Sequence, residues 1–184
     1  MLAYVINLDR RPDRLEQIAQ HLADLGMPMT RVPAIDGRLW DGEGWKKQGR
    51  AKEHRWRGAA GCWLSHVKAL ETAVAANVFP CVILEDDAVL DEVPVAEPGM
   101  VYLGGWWGNK QGHLGLYGAH AIMYESQEAA HAYCKFLRTH KNTADSVGNL
   151  WRNKGRAALY SKGFIAKQRA GFSDIEGFVR THGQ

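Results

Sequence analysis

The first 35 residues constrain the fold most, because they read as a strand, a helix and a second strand in close succession. Leu2 to Asn7 is a near-continuous run of β formers, the pattern of a strand buried on both faces. The polar turn Asp9-Arg10-Arg11 follows, and Pro12 suits a first helical turn. Leu15, Ile18, Ala19, Leu22 and Leu25 recur at helical spacing until Gly26 and Pro28 stop the run. Thr30 to Ile35 then supplies the second strand. A crossover of this kind favours a parallel strand pair, so the chain is expected to build an α/β sheet.

With 184 residues there is room for one domain with a sizeable core and too little for two, so a single domain over 1–184 is expected. Its hydrophobic fraction of 46% and charged fraction of 23% argue against general disorder. No apolar run approaches the roughly 20 residues of a membrane span. Met1 to Asn7 enters a strand pattern without the charged start of a signal peptide, which leads us to expect a cytoplasmic protein. Cys62, Cys81 and Cys134 form no CxxC pair, so neither a disulfide framework nor a zinc ribbon is expected. Cys62 and His66 stand four apart, as two ligands on one helical face would, but no second pair completes a tetrahedral site. Core packing is the expectation for both.

Beyond Ile35, the segment Asp36 to Arg57 holds four glycines and no clear periodicity, and is expected to be a mobile loop over about 38–57. Lys46, Lys47, Arg50, Lys52, Arg55 and Arg57 crowd it, suited either to a phosphate-bearing partner or to plain solvation. Gly58 to Ala76 reads as a buried helix and Pro80 to Leu84 as the central strand. Val101 to Leu103 and Leu116 to Tyr124 read as strands, with Ser126 capping a helix through Leu137 and Thr143 capping another. Between them, Gly104-Gly105-Trp106-Trp107-Gly108 reads as a binding wall of flat rings or as a tight turn with a tryptophan plug. Ala157 to Lys167 adds one or two short strands. The Gly-x-Gly-x-x-Gly string of dinucleotide folds is absent after the first strand.

The sharpest chemical statement is Val82-Ile83-Leu84-Glu85-Asp86-Asp87, a buried-type strand that delivers three adjacent carboxylates to its end. Adjacent carboxylates repel, and a fold tolerates that when a divalent cation or a substrate's positive groups neutralise them. Hard oxygen ligands suit Mg²⁺ or Mn²⁺, and ligands of open α/β sheets bind outside the carboxyl ends of strands. The competing reading is a solvated acidic turn. Asp145 is similarly two-sided, since an acid in a helix's first turn complements the helix dipole as readily as it serves catalysis.

Several segments together resemble glycosyltransferase family 25, the lipooligosaccharide and collagen galactosyltransferase group. They are Tyr4-Val5-Ile6-Asn7-Leu8-Asp9-Arg10-Arg11-Pro12-Asp13-Arg14, Ala34-Ile35-Asp36-Gly37, Gly61-Cys62-Trp63-Leu64-Ser65-His66 and Ile83-Leu84-Glu85-Asp86-Asp87. Gly118-Ala119-His120-Ala121, Asp145, Gln168 and Ser173-Asp174-Ile175 continue the pattern in order. The resemblance implies a GT-A-type fold, a Rossmann-like α/β/α sandwich around a mixed central sheet. It implies a metal-dependent inverting hexosyltransferase that moves galactose or glucose from a UDP-sugar to a hydroxyl acceptor, such as lipooligosaccharide or another glycan, with Mn²⁺ or Mg²⁺.

Carried residue by residue, the resemblance makes Asp87 the primary metal ligand, with Glu85 on the metal or the ribose and Asp86 a ligand or an orienting group. His120 would complete the metal shell, although a lone strand histidine also serves cores. Asn7, Asp9 and Arg14 would face the nucleotide, with Arg10 or Arg11 near phosphate, and Ser65 and His66 would line the donor pocket. Asp145 is the first candidate for the base that takes the acceptor's proton, and Asp174 the second. The chain is short for the family and its basic segment looks individual, so the acceptor is the least constrained feature. A non-catalytic or nucleic-acid-modifying or nucleic-acid-binding member of the same fold, using the basic loop 46–57, is the alternative. A Mg²⁺-dependent phosphoryl-transfer enzyme would also use an acidic strand end, but no Gly-rich phosphate loop supports one.

Overall fold

The opening strand–helix–strand unit forms as its periodicities require. In the computed structural model, which describes residues 1–39, 53–110, 113–172 and 179–180, β1 (Leu2–Asn7) leads through α1 (Pro12–Asp24) to β2 (Met29–Pro33). β1 and β2 pair in parallel, from Ala3 opposite Met29 to Asn7 opposite Pro33. Pro12 opens α1, where a missing N–H forfeits no helical bond. Gly26 takes a φ of 69° just beyond the helix, the left-handed stop that glycine adopts without steric penalty.

α2 (Glu53–Ala76) begins earlier than the expected start at Gly58, so Arg55 and Arg57 are helical. Lys46, Lys47, Arg50 and Lys52 lie outside the described residues, as does most of the expected loop. The chain continues through β3 (Cys81–Glu85), β4 (Ala88–Leu90) and β5 (Met100–Tyr102). A hairpin of β6 (Trp106–Lys110) and β7 (His113–Tyr117) precedes β8 (Ala121–Tyr124). The expected single strand from Leu116 to Tyr124 is therefore two strands: Gly118, at φ 124°, breaks the run before His120. α3 (Gln127–Thr139) and α4 (Ala144–Asn153) follow, and Ser126 and Thr143 cap them by accepting from the amides of Ala129 and Ser146 at 3.2 Å each. β9 (Ala158–Leu159), β10 (Ala166–Gln168) and the antiparallel pair β11 (Gly171–Phe172) and β12 (Val179–Arg180) complete the described chain.

The central sheet has the order β2-β1-β3-β8-β5-β9. β8 runs antiparallel to both of its neighbours, and the other strands share one direction, so the sheet is mixed. Alternation along each strand sends side chains to two buried faces. Tyr4, Ile6, Ile83, Ile122 and Tyr124 meet Trp63 and Leu70 of α2, Tyr133 and Leu137 of α3 and Val147 of α4. Ala3, Val5, Val82, Leu84 and Met123 meet Ile18 and Leu22 of α1 on the other face. Helices thus cover both faces, which is why β1 and β3 are apolar up to their last residues, Asn7 and Glu85. Among the described residues no helix is long and apolar enough to cross a membrane.

Two of the segments that carry the family resemblance lock together by close backbone approach. A Cβ on Gly61 would stand 2.6 Å from the Ile35 carbonyl oxygen and 2.7 Å from the Gly37 nitrogen. One turn later, Ser65 Oγ accepts from the Ile35 amide at 2.8 Å and donates to the Gly61 carbonyl at 2.6 Å. This seats α2 against the chain leaving β2 and aims its next face at the end of β3.

Candidate active site at the carboxyl end of the sheet

β1 and β3 run in parallel with Ile6 opposite Glu85, so both deliver their carboxyl ends to one edge, where ligands of α/β sheets bind. Glu85 is the last residue of β3, and Asp86 and Asp87 form the turn into β4. The three carboxylates diverge. Asp86 is buried and turns inward, accepting from Asn7 Nδ2 at 2.8 Å and from Arg14 Nη1 at 3.0 Å. Glu85 faces α2, where His66 Nε2 lies 3.0 Å and Cys62 Sγ 3.6 Å from its Oε1. Asp87 stands 3.8 Å from Arg14 Nη1. Gln168, on β10, holds the two outer acids in relation: its Nε2 is 3.4 Å from Glu85 Oε2 and 3.4 Å from Asp87 Oδ1. β10 reaches this point because it pairs with β4, placing Gln168 opposite Ala88.

The electrostatics follow from this crowding. Burial, then the charge of Glu85, pushes the Asp87 carboxyl up to about 7. Burial also raises Asp86, against the pull of Arg14 and the hydrogen bond from Asn7. Burial acts to raise Glu85 too, but the hydrogen bond and charge of His66, with His120 behind it, bring that carboxyl below its ordinary value. The site therefore keeps one firm carboxylate beside one that ionises near neutrality. Two hard oxygen groups in that state, bridged by a single amide, suit a divalent cation, and Asp87 and Glu85 are the residues that would hold it.

His120 is fully buried between two glycines: a Cβ on Gly104 would come 2.7 Å from its Nε2, and one on Gly118 3.1 Å from its Nδ1. Its carbonyl accepts from the Glu85 amide at 2.9 Å, so it stands behind Glu85. Asp145 does more than complement the dipole of α4. Its Oδ1 accepts from the backbone amides of Gly118 at 3.1 Å and Ala119 at 2.8 Å, the same turn that splits β7 from β8. Both bonds use one oxygen, Oδ1. Burial chiefly, with the charges of Glu85, Asp145 and Asp87, raises the Cys62 thiol well above its ordinary value.

Other expected contacts resolve differently. Asn7 is buried and uses its amide internally, donating to Arg11 O and Asp86 and accepting from Arg31 Nε. Ser65 staples α2 to Ile35 and offers no hydroxyl to a pocket. Arg10 pairs with Asp36 at 2.8 Å, Arg11 with Asp13 at 2.7 Å, and Asp9 with Arg31. His66 and Cys62 are not simple core residues: the helical i, i+4 spacing presents both to Glu85. That spacing was the available signal for Cys62, while Gln168 joins the acids only through the pairing of β10 with β4. Asp174 lies outside the described residues. Within the Gly104–Gly108 stretch, Gly104 forms a parallel bridge to Ala166, and Trp106, Trp107 and Gly108 already belong to β6, with Trp107 55% exposed and the Arg152 guanidinium 5.3 Å from its ring centroid.

The family model of glycosyltransferase family 25, described as an LPS biosynthesis protein, matches residues 1–162. The chain belongs to glycosyltransferase family 25. A glycosyltransferase 25 family member of Aedes aegypti is 34% identical over 94 residues, covering 46% of this chain and 16% of that protein. One from Drosophila pseudoobscura pseudoobscura is 29% identical over 98 residues, covering 48% and 16%. A Bos taurus relative named probable inactive glycosyltransferase 25 family member 3 is 30% identical over 94 residues, covering 46% and 16%. The chain thus spans 16% of the length of these family 25 relatives. Among solved structures, a glycosyltransferase involved in glycosylation of the major capsid of PBCV-1 aligns with a TM-score of 0.45 and 8% identity, over 86% of this chain and 82% of that one.

Proposed function

We propose that the chain is a metal-dependent inverting hexosyltransferase that moves galactose or glucose from a UDP-sugar to a hydroxyl acceptor, a lipooligosaccharide or another glycan. The observation that carries this reading is the pairing of Glu85 and Asp87 at the carboxyl end of a parallel strand, with Gln168 Nε2 3.4 Å from an oxygen of each. Family 25 membership supplies the reaction class.

Asp87 and Glu85 would hold Mn²⁺ or Mg²⁺, which when bound neutralises charge on the departing nucleotide diphosphate. Arg14 and Asn7 fix Asp86, so the turn that carries Asp87 keeps its shape as a donor arrives. Asp145 takes the acceptor hydroxyl's proton while that oxygen bonds the anomeric carbon and the carbon–phosphate oxygen bond breaks on the opposite face. Two backbone amides anchor this base, so its position owes nothing to a flexible partner. The exposed Trp107 ring supplies a flat apolar surface on which an acceptor sugar can stack.

The test is turnover of UDP-galactose and UDP-glucose by purified protein, stripped of metal and then resupplied with Mn²⁺ or Mg²⁺. Metal-stimulated transfer or donor hydrolysis is expected, and Asp87→Asn should abolish the stimulation. Absence of turnover with every UDP-sugar sinks the reading.

A further inference from the structure

Cys62 Sγ, His66 Nε2 and a Glu85 carboxylate oxygen lie within 4.8 Å of one another, and hard-cation chemistry has no use for the thiol. We propose that these three side chains form a thiolate-containing site for a borderline-soft cation, Zn²⁺ being the fitting one. The site is distinct in its donor set from the oxygen pair of Glu85 and Asp87 and shares one member with it.

The geometry is that of a preformed centre. A tetrahedral Zn²⁺ holds sulfur at ~2.3 Å and nitrogen or oxygen at ~2.0 Å, which sets sulfur and oxygen ~3.5 Å apart and nitrogen and oxygen ~3.3 Å apart. Here the separations are 3.6 Å for Cys62 Sγ to Glu85 Oε1 and 3.0 Å for His66 Nε2 to Glu85 Oε1. Small rotations suffice to admit the ion. The two α2 ligands are four residues apart on one helical face, and Ser65, between them, is pinned to Ile35, so the helix register that aligns them is fixed. His66 is buried and Cys62 half-buried, and three protein ligands with water as the fourth is an arrangement that Zn²⁺ accepts.

Binding is proton-balanced. Cys62 releases its thiol proton to solvent, and His66 presents Nε2 as a lone pair, its hydrogen moving to Nδ1 or to solvent. The hydrogen bond from His66 to Glu85 is exchanged for two bonds to the same ion. Zn²⁺ outranks Mn²⁺ at nitrogen and sulfur donors, so an ion seated here removes Glu85 from the oxygen site. This second consequence, inhibition of turnover, rests on the proposed function; the binding itself does not.

The probe is Co²⁺, followed by Zn²⁺, added to metal-free protein. Co²⁺ should produce a near-ultraviolet thiolate charge-transfer band at one ion per chain, displaced by Zn²⁺. Cys62→Ser should lose the band, and both Cys62→Ser and His66→Gln should weaken Zn²⁺ at least ~10-fold in competition with a chromophoric chelator. Asp87→Asn should keep band and affinity. The ratio of turnover with and without Zn²⁺, taken within each protein, should fall for wild type and stay level for Cys62→Ser. Circular dichroism verifies the fold of each variant, and Cys62→Ala substitutes if the serine variant unfolds. No thiolate band in the wild-type protein overturns the site whatever the sugar assays report. A band in a protein that turns over no UDP-sugar upholds the site and removes only the transferase reading.

Discussion

Asn7 donates from Nδ2 to Asp86 Oδ2 at 2.8 Å, tying the end of β1 to the acidic turn that follows β3. This bond divides the three adjacent acids by role, because the middle one is consumed by the scaffold while Glu85 turns to Cys62 and His66 of α2 and Asp87 lies beside Gln168 and Arg14. Removing it with Asn7→Ala leaves a buried carboxylate short of a donor. The expected loss is about 2 kcal/mol, the scale of a hydrogen bond to a charged group. For a chain of this size that lowers Tm by roughly 4–8 °C, measurable by differential scanning calorimetry.

Asp87 makes stability fall as pH rises. Its carboxyl is pushed up to about 7 in the folded protein, so between the ordinary carboxylate range and about 7 the native state holds a proton that the unfolded chain has released. The protection is complete at low pH and lost by pH 8. Asp87→Asn should therefore raise Tm relative to wild type at pH 8, with the gap closing toward pH 4 to 5. Stabilisation of wild type by Mn²⁺ should grow over pH 6 to 8, as the proton it competes with leaves, and vanish in the variant. Thermal melts across pH with and without Mn²⁺ check both.

Asp145→Asn separates catalysis from architecture. An asparagine oxygen still accepts from Gly118 and Ala119, so Tm should change little, whereas a general base is lost. Transfer is expected to slow by about 10²–10⁴-fold in kcat with donor KM nearly unchanged. Equal collapse of Tm and kcat would instead make Asp145 a turn-capping residue alone.

Gly61→Ala should be costly despite the methyl's small size. The new Cβ would meet backbone atoms of Ile35 and Gly37 at 2.6 and 2.7 Å, neither of which rotates away. Overpacking of this kind costs about 1–3 kcal/mol, and because it displaces α2 it should also disturb His66 against Glu85. Denaturant midpoints and donor KM together report the two effects.

Trp107→Ala tests the exposed ring. Loss of a stacking surface worth about 0.5–1.5 kcal/mol should raise acceptor KM roughly 2–10-fold while donor hydrolysis stays at its wild-type rate. Steady-state kinetics with varied acceptor decide it.

Local signals were legible because their physics is local. Pro12 and Gly26 bound α1, Ser126 and Thr143 cap α3 and α4, and unbroken apolar runs mark strands buried on both faces. The split of Leu116 to Tyr124 falls at Gly118, whose φ of 124° breaks the run; what was not legible is that the amide at this break is taken up by Asp145, 27 residues on. Nor was the reach of Gln168, which lies 83 residues from Glu85 and arrives by pairing of β10 with β4.

By itself the sequence determined an α/β chain with three acids at the end of a buried strand, because strand periodicity and residue order dictate that much. Only the tertiary structure decided what each acid does. Asn7 and Arg14 draw Asp86 inward, α2 sets Cys62 and His66 against Glu85, and Gln168 joins Glu85 to Asp87. Direction, burial and ionisation are properties of neighbours brought together by folding, and adjacency along a chain does not specify them.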